Sequence, residues 1–272
     1  MNKIFETLDS TDRRPISQLN GDASVLTADP DRPANRKITQ ITSPGVAVAD
    51  EPSQVAAVGP APTLEMDPAT RQELIRLTHT LFLGSAGARV VAFSGVEPGA
   101  GCSWMLVRIA DLLADADAGS VCIVDTDFQN PTLHLYLGAD NNCGLSDALV
   151  ERQPLRECVQ RFGERLHVLS SGSVGPKAEI LLASSAFRLL TEELRAVFDF
   201  VLFDTPPMAT SSDALVVAGR TEGLAMVVEA DSTNRETALK AARHAAAANV
   251  RVLGVVLNKR TYPIPEAIYK KL

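Results

Sequence analysis

The chain has 272 residues, 46% of them hydrophobic, enough for a sizeable core in one large domain or two small ones. A formal net charge of −7 excludes the basic stripe of a nucleic-acid surface and a polybasic membrane anchor. With no apolar run of signal-peptide length at the start and no uncharged stretch long enough to span a bilayer, any membrane link is expected to go through a partner.

Met1 to Leu8 places Ile4, Phe5 and Leu8 on one helical face, the pattern of a short docking helix or of a fraying terminus. Residues 9–66 are rich in Pro, Asp, Ala, Ser and Thr and carry no sustained periodicity. They are expected to form a disordered linker, because they cannot bury enough apolar surface to offset ordering. Asp67-Pro68 is a helix start, and the helix is expected to run to Leu83 and stop at Gly84. Leu74, Leu77 and Leu81 form its packing stripe. Glu73, Arg76 and His79, three apart, form a polar one, either a solvated face with an ion pair or a subunit contact.

Val90 to Phe93 read as a buried strand. Gly95, Gly99 and Gly101 then allow a tight turn, and a helix begins at Ser103 with Met105, Leu106, Ile109, Leu112 and Leu113 at helical spacing. Strand, glycine-rich turn and helix together aim free N–H groups and a helix N-terminus at a phosphate. A phosphate loop ends Gly-Lys-Ser/Thr, the lysine reaching the β- and γ-phosphates and the hydroxyl holding magnesium. Here it ends Gly101-Cys102-Ser103.

Ser120 to Asp127 read as an apolar strand ending in two carboxylates, which puts Asp125 and Asp127 at the carboxyl edge of a parallel sheet, where α/β proteins place ligands. Beyond it, residues 144–150 read as a short helix, 166–170 as a strand, and 177–183 and 185–198 as helices. Residues 198–204 form a second apolar strand ending in Asp204, the Walker B pattern, with Pro206 and Pro207 turning the chain out of the sheet. A strand over 222–230, a helix opened by Thr233 and Glu236 at capping-box spacing, and a strand over 252–257 complete the order. Asn258-Lys259 follow, where a nucleotide base could lie. Apolar strands without alternation, each followed by a helix, predict an α/β fold with a parallel sheet flanked by helices.

Cys102, Cys122, Cys143 and Cys158 have no spacing suited to zinc or a disulfide framework. The expectation is a reduced, cytoplasmic protein with buried thiols. Cys102, at a helix N-terminus, is either a thiol of lowered pKa or a small neutral filler. Trp104 beside it reads as a core or lid residue.

Taken together, the motifs resemble the bacterial tyrosine kinases of capsule and exopolysaccharide systems, CapB/CpsD-type cytoplasmic domains with a MinD-like P-loop NTPase fold. The resemblance covers roughly residues 67–260 and rests on five motifs in family order. They are Ser94-Gly-Val-Glu-Pro-Gly-Ala-Gly101, Val124-Asp-Thr-Asp127 with Pro131, Gly144-Leu-Ser-Asp-Ala-Leu, Phe200-Val-Leu-Phe-Asp-Thr-Pro-Pro with Asp213, and Gly254-Val-Val-Leu-Asn-Lys. The chain ends resemble the branch of the family linked to exosortase-type polysaccharide loci. The resemblance implies ATP or ADP held by Gly99, Ala100, Gly101, Cys102, Ser103, Trp104 and Asn258. It also implies magnesium among Ser103, Asp125 and Asp204, and Asp127 as base for a tyrosine hydroxyl, with Asp125 beside it. The implied partner is a polysaccharide chain-length-control membrane protein, which would bring the chain to the inner face of the membrane. Subunits of the family pack through a Glu-x-x-Arg-x-x-Arg helix, here Glu73, Arg76 and His79.

The sequence departs from the family at several places. Cys102 stands for the loop lysine, Gln129 and Asn130 for basic residues after Asp127, His79 for the second arginine, and Tyr262 and Tyr269 for a tyrosine cluster in the 261–272 tail. Loss of one charge-assisted contact costs roughly 1.5–3 kcal/mol of nucleotide binding, and more in transfer, where charge must still be stabilised in the transition state. Arg108, one and a half turns along the helix, is the nearest replacement in sequence. The leading expectation is therefore a catalytically impaired scaffold or regulator. The alternatives are an active ATP- and magnesium-dependent tyrosine autokinase and a MinD/ParA-like ATPase. The last carries a further signature lysine where Glu97 stands here.

Overall fold

Strands that are apolar on both sides need cover on both sides, and the computed structural model has that arrangement. It describes residues 57–58, 66–84, 87–116, 118–150, 153–173 and 178–260. The 1–8 segment, most of the 9–66 stretch and the 261–272 tail with Tyr262 and Tyr269 lie outside the described residues. Within the stretch read as linker, β1 (Ala57–Val58) pairs in parallel with Arg161 and Phe162.

The first helix, α1 (Pro68–Thr78), is capped by Asp67, whose carboxylate accepts from the Ala69 and Thr70 amides at 3.1 and 2.9 Å. It continues as a π-helical turn, His79–Leu83, that ends at Gly84. The expected helix is thus present but changes hydrogen-bond pattern in its last turn. There the hydroxyls of Thr78 and Thr80 donate to the carbonyls of Leu74 and Arg76, competing with the helical ladder. Leu74, Leu77 and Leu81 are buried, whereas Glu73, Arg76 and His79 are exposed.

Then follow β2 (Val90–Gly95), α2 (Cys102–Asp115), β3 (Val121–Asp125), α3 (Leu133–Leu137), α4 (Leu145–Val150), α5 (Leu155–Cys158), β4 (Val159–Phe162) and β5 (Leu166–Leu169). The remainder is α6 (Ala178–Leu182), α7 (Ser185–Val197), β6 (Phe200–Thr205), α8 (Asp213–Ala218), β7 (Leu224–Glu229), α9 (Arg235–Ala247) and β8 (Val252–Asn258). The eight strands lie in the order β1-β4-β5-β3-β6-β2-β7-β8. Alternation along each central strand sends neighbours to opposite faces. Val90 and Ala92 join one core cluster with Cys122, Val124, Val201 and Phe203, while Val91 and Phe93 join the other with Val121, Ile123 and Leu202. Aromatic pairs tie helices to both faces: Phe187 of α7 lies edge-on to Phe203 at 5.9 Å, and Phe82 lies edge-on to Phe200 at 5.8 Å.

Three details correct the sequence reading. The sheet is not wholly parallel, because β4 runs antiparallel to β5 across a tight turn in which Gly163 takes φ 66°. Asn234, not Thr233, caps α9: its side chain accepts from the Thr237 amide at 2.8 Å. Cys143 and Cys158 form a disulfide, with Cα atoms 5.0 Å apart, so the expectation of four reduced thiols does not hold. Their 15-residue separation matches no linear motif, and the short α4–α5 connection brings them together. Cys122 is a buried free thiol, as expected.

Candidate nucleotide site

The sheet order sets β2 between β6 and β7, so the loop after β2 emerges beside the carboxyl ends of both, with β3 on the far side of β6. Backbone contacts brace the loop from both sides. The Val96 amide donates to Val227 O at 2.8 Å, and the Met208 and Ala209 amides donate to Gly95 O and Val96 O at 2.9 and 3.0 Å. Below it, the Ser94 hydroxyl donates to Pro206 O and the Thr205 hydroxyl to Phe93 O, each at 2.8 Å. Gly99 and Gly101 take φ 84° and 80°, and a Cβ on Gly101 would lie 2.5 Å from Asn258 Nδ2. The positive φ favours glycine there, and a side chain would have to displace the Asn258 amide. Gly101 is the N-cap of α2 and supplies no capping side chain, leaving the first-turn N–H groups available to an anion.

Cys102 opens α2. Its thiol lies against Asp204, and burial, followed by the nearby carboxylate, pushes its pKa well above the usual thiol value. Of the two readings of Cys102, this direction favours the small neutral filler: burial and the nearby carboxylate disfavour the thiolate, against the helix terminus. Trp104 is partly buried against the core, as expected of a packing residue. Arg108 is buried, with its guanidinium 5.3 Å from the centre of the Trp104 ring. Its Nε has no hydrogen-bond partner, and its charged neighbour is Asp111 on the same helix.

Register pairs Asp125 with Asp204 on adjacent strands. One oxygen of Asp125 accepts from the Asp127 amide at 3.1 Å, and the other from the Thr132 and Leu133 amides at 3.0 and 3.1 Å. Burial nevertheless raises its pKa to about 7, against the lowering by these three amides. Asp127 Oδ1 accepts from the Gln129 and Asn130 amides at 3.2 and 2.9 Å, which turns the chain after β3. Asp204 is fully buried and its pKa is raised, first by burial and then by Asp125, while Ser103 and Cys102 pull the other way. Its Oδ1 has no hydrogen-bond partner.

That orphaned oxygen, with the Ser103 hydroxyl beside the same carboxylate, fits a magnesium ion. Among the described residues no cluster of three or more acidic, histidine or cysteine side chains forms a complete metal cage. Magnesium does not need one, since it keeps waters and phosphate oxygens as ligands. Asp125, with both oxygens engaged, fits as an outer partner better than as a direct ligand. Asn258 Nδ2 donates to Ala100 O at 2.8 Å, and Lys259 Nζ donates to Gly99 O at 2.6 Å. The sequence places Asn258-Lys259 together beside a nucleotide base, but the contacts of Lys259 with Gly99 and, at 3.2 Å, with Glu229 have no local signal across 30 to 160 residues.

The buried carboxylates make the fold sensitive to pH. Asp125 titrates near 7 in the folded chain and near its ordinary 3.8 when unfolded, so the folded state holds the extra proton between those values. The stability it contributes is complete at low pH and is lost as pH rises through about 7. In the absence of nucleotide, the urea midpoint is expected to fall between about pH 5 and pH 8, and Asp125→Asn to flatten that decline. An unchanged slope in Asp125→Asn would count against this assignment.

No protein-family model matches the chain. It is 32% identical over 169 residues to the tyrosine-protein kinase YwqD of Bacillus subtilis (strain 168), an alignment covering 62% of the chain and 71% of that protein. It is 33% identical over 180 residues to the tyrosine-protein kinase ptk of Acinetobacter johnsonii, covering 65% of the chain but only 24% of that protein. Among solved structures, the chimerical protein CapA2B2 superposes with a TM-score of 0.67 at 29% identity, covering 72% of the chain and 87% of that structure. The cell-division protein MinD of Pyrococcus horikoshii OT3, solved with Mg-ADP, superposes at 0.55 and 22% identity, covering 67% and 76%, and shares the fold.

Proposed function

The chain belongs to the bacterial tyrosine-protein kinase family, and from that premise we propose that it is a catalytically impaired member that still binds nucleotide and acts as a scaffold or regulator. The observation that carries this reading is Cys102: at the position of the phosphate-loop lysine stands a neutral, protonated thiol turned onto Asp204. Phosphoryl transfer relies on positioning and charge neutralisation, so the first turn of α2 lacks the charge that the phosphate-loop lysine would place there. The loop amides, Ser103 and Asp204 remain suited to phosphate and magnesium, which when bound would neutralise phosphate charge. Gly99, Ala100 and Gly101 supply the cradle, and Asn258 fixes its outer side.

By the motif resemblance, the partner is a chain-length-control membrane protein of exopolysaccharide assembly, with this chain at the cytoplasmic face. No helix among the described residues is long and apolar enough to cross a membrane. Glu73 and Arg76 pair at 2.7 Å on the exposed face of α1, with His79 also exposed. An imidazole cannot make a guanidinium's two-pronged contact, so the chain is expected to be a monomer or weak oligomer. A stable ring at micromolar concentration by light scattering would contradict that.

The test of impairment is direct. Incubated with ATP and magnesium, the wild-type protein is expected to gain no phosphotyrosine, by immunoblot or intact mass, while Asp204→Asn keeps its fold by circular dichroism. A second reading, the active autokinase, draws on the preserved Asp125, Asp127 and Asp204 cluster. Robust wild-type autophosphorylation that disappears in Asp125→Asn and Asp204→Asn would establish it instead.

A further inference from the structure

We propose that Lys259 supplies the phosphate-binding cation that Cys102 does not, so that the positive charge of this nucleotide site comes from the end of β8 and not from the first turn of α2. The inference rests on the nucleotide-binding reading above. Lys259 follows the last residue of β8 and takes φ 56°, a left-handed conformation unusual for a residue with a side chain. Its ammonium donates to Gly99 O at 2.6 Å and meets Glu229 Oε1 at 3.2 Å. Its side chain also runs along the loop itself, since a Cβ on Gly101 would lie 3.8 Å from Lys259 Cε. Gly99 to Gly101 is the stretch that leads into the open end of α2.

The charges around the site favour such a group. Asp125, Asp127 and Asp204 gather at the strand ends, and Glu97 and Glu229 flank the loop. The cation that α2 itself carries, Arg108, lies over Trp104. A triphosphate entering here would meet carboxylates and a neutral thiol, with Lys259 a cation already touching the loop. An ammonium has three donors, and Gly99 and Glu229 engage two of them. The side chain is 48% exposed and flexible enough to exchange Glu229 for a phosphate oxygen. Glu229 then serves to hold the ammonium near the loop before nucleotide arrives.

A purely structural clip would account for the same contacts, and titration calorimetry on the full chain separates the two roles. Lys259→Met is expected to weaken MgATP binding by about tenfold or more, the size of a lost charge-assisted contact, while AMP changes by less than about twofold. In a Cys102→Lys background the same substitution is expected to cost less than about threefold, because the two cations then act on the same phosphates. Equal losses for AMP and MgATP, or equal losses in both backgrounds, would identify a clip and overturn the proposal. Should Cys102→Lys fail to fold, the comparison of AMP with MgATP in the native background decides alone. Wild-type protein that binds no MgATP would defeat both this inference and the nucleotide reading. Wild-type binding that is indifferent to Lys259→Met would defeat the inference only.

Discussion

Cys102→Lys is expected to strengthen magnesium-dependent nucleotide binding by about tenfold or more, as one charge-assisted contact is restored at the phosphate loop. The position favours the gain. The thiol now points at Asp204, a buried carboxylate whose pKa is raised by burial and by Asp125 and whose Oδ1 is unpartnered. A lysine there would face Asp204 when the loop is empty and a phosphate when it is filled. It would also lower the pKa of Asp204, because an ammonium favours the ionised carboxylate. Calorimetric titration with ADP and ATP, with and without magnesium, reads the gain directly, and it should be larger still in Lys259→Met. Transfer to tyrosine is not expected to return with it, since Gln129 and Asn130 still follow Asp127 where basic residues would stand. An affinity unchanged by Cys102→Lys would mean that something other than the missing charge limits the site.

Gly144→Ala is expected to be among the most damaging single-methyl additions in the chain, with a loss of about 3 kcal/mol or more in urea unfolding. A Cβ on Gly144 would overlap the backbone nitrogen of Gly172 and the carbonyl oxygen of Ser170. Neither can retreat. The Leu145 and Ser146 amides donate to Ser170 O and Ser171 O at 2.8 and 2.9 Å, and Asp147 Oδ2 accepts from both Gly144 N and Ser173 N. Gly99→Ala provides the contrast: nothing lies within 4 Å of its added Cβ, so only the positive φ penalises it, by about 1 kcal/mol. If Gly144→Ala unfolds within about 1 kcal/mol of the wild type, the close backbone approach is not what the glycine is for. The Gly144-Leu-Ser-Asp-Ala-Leu motif is thus a packing and capping device, with Asp147 buried at the start of α4.

The sequence determined the element order and most of the site's membership. Short apolar, non-alternating runs bounded by turn signals read as strands covered on both faces, and a strand's end fixes where its last carboxylate emerges, so Asp125 and Asp204 were legible as neighbours of the loop. Glycines at three positions before a helix announced the cradle, and Cys102 announced the missing charge. Tertiary structure decided the rest, because it depends on which distant segments meet. Antiparallel β4, the Cys143–Cys158 disulfide, the protonated state of Cys102 and the raised pKa of Asp125 all follow from neighbours that no local window contains. The contact of Lys259 with Gly99 spans 160 residues. Burial and charge act through space, and the chain's own order carries no record of either until the sheet has closed over them.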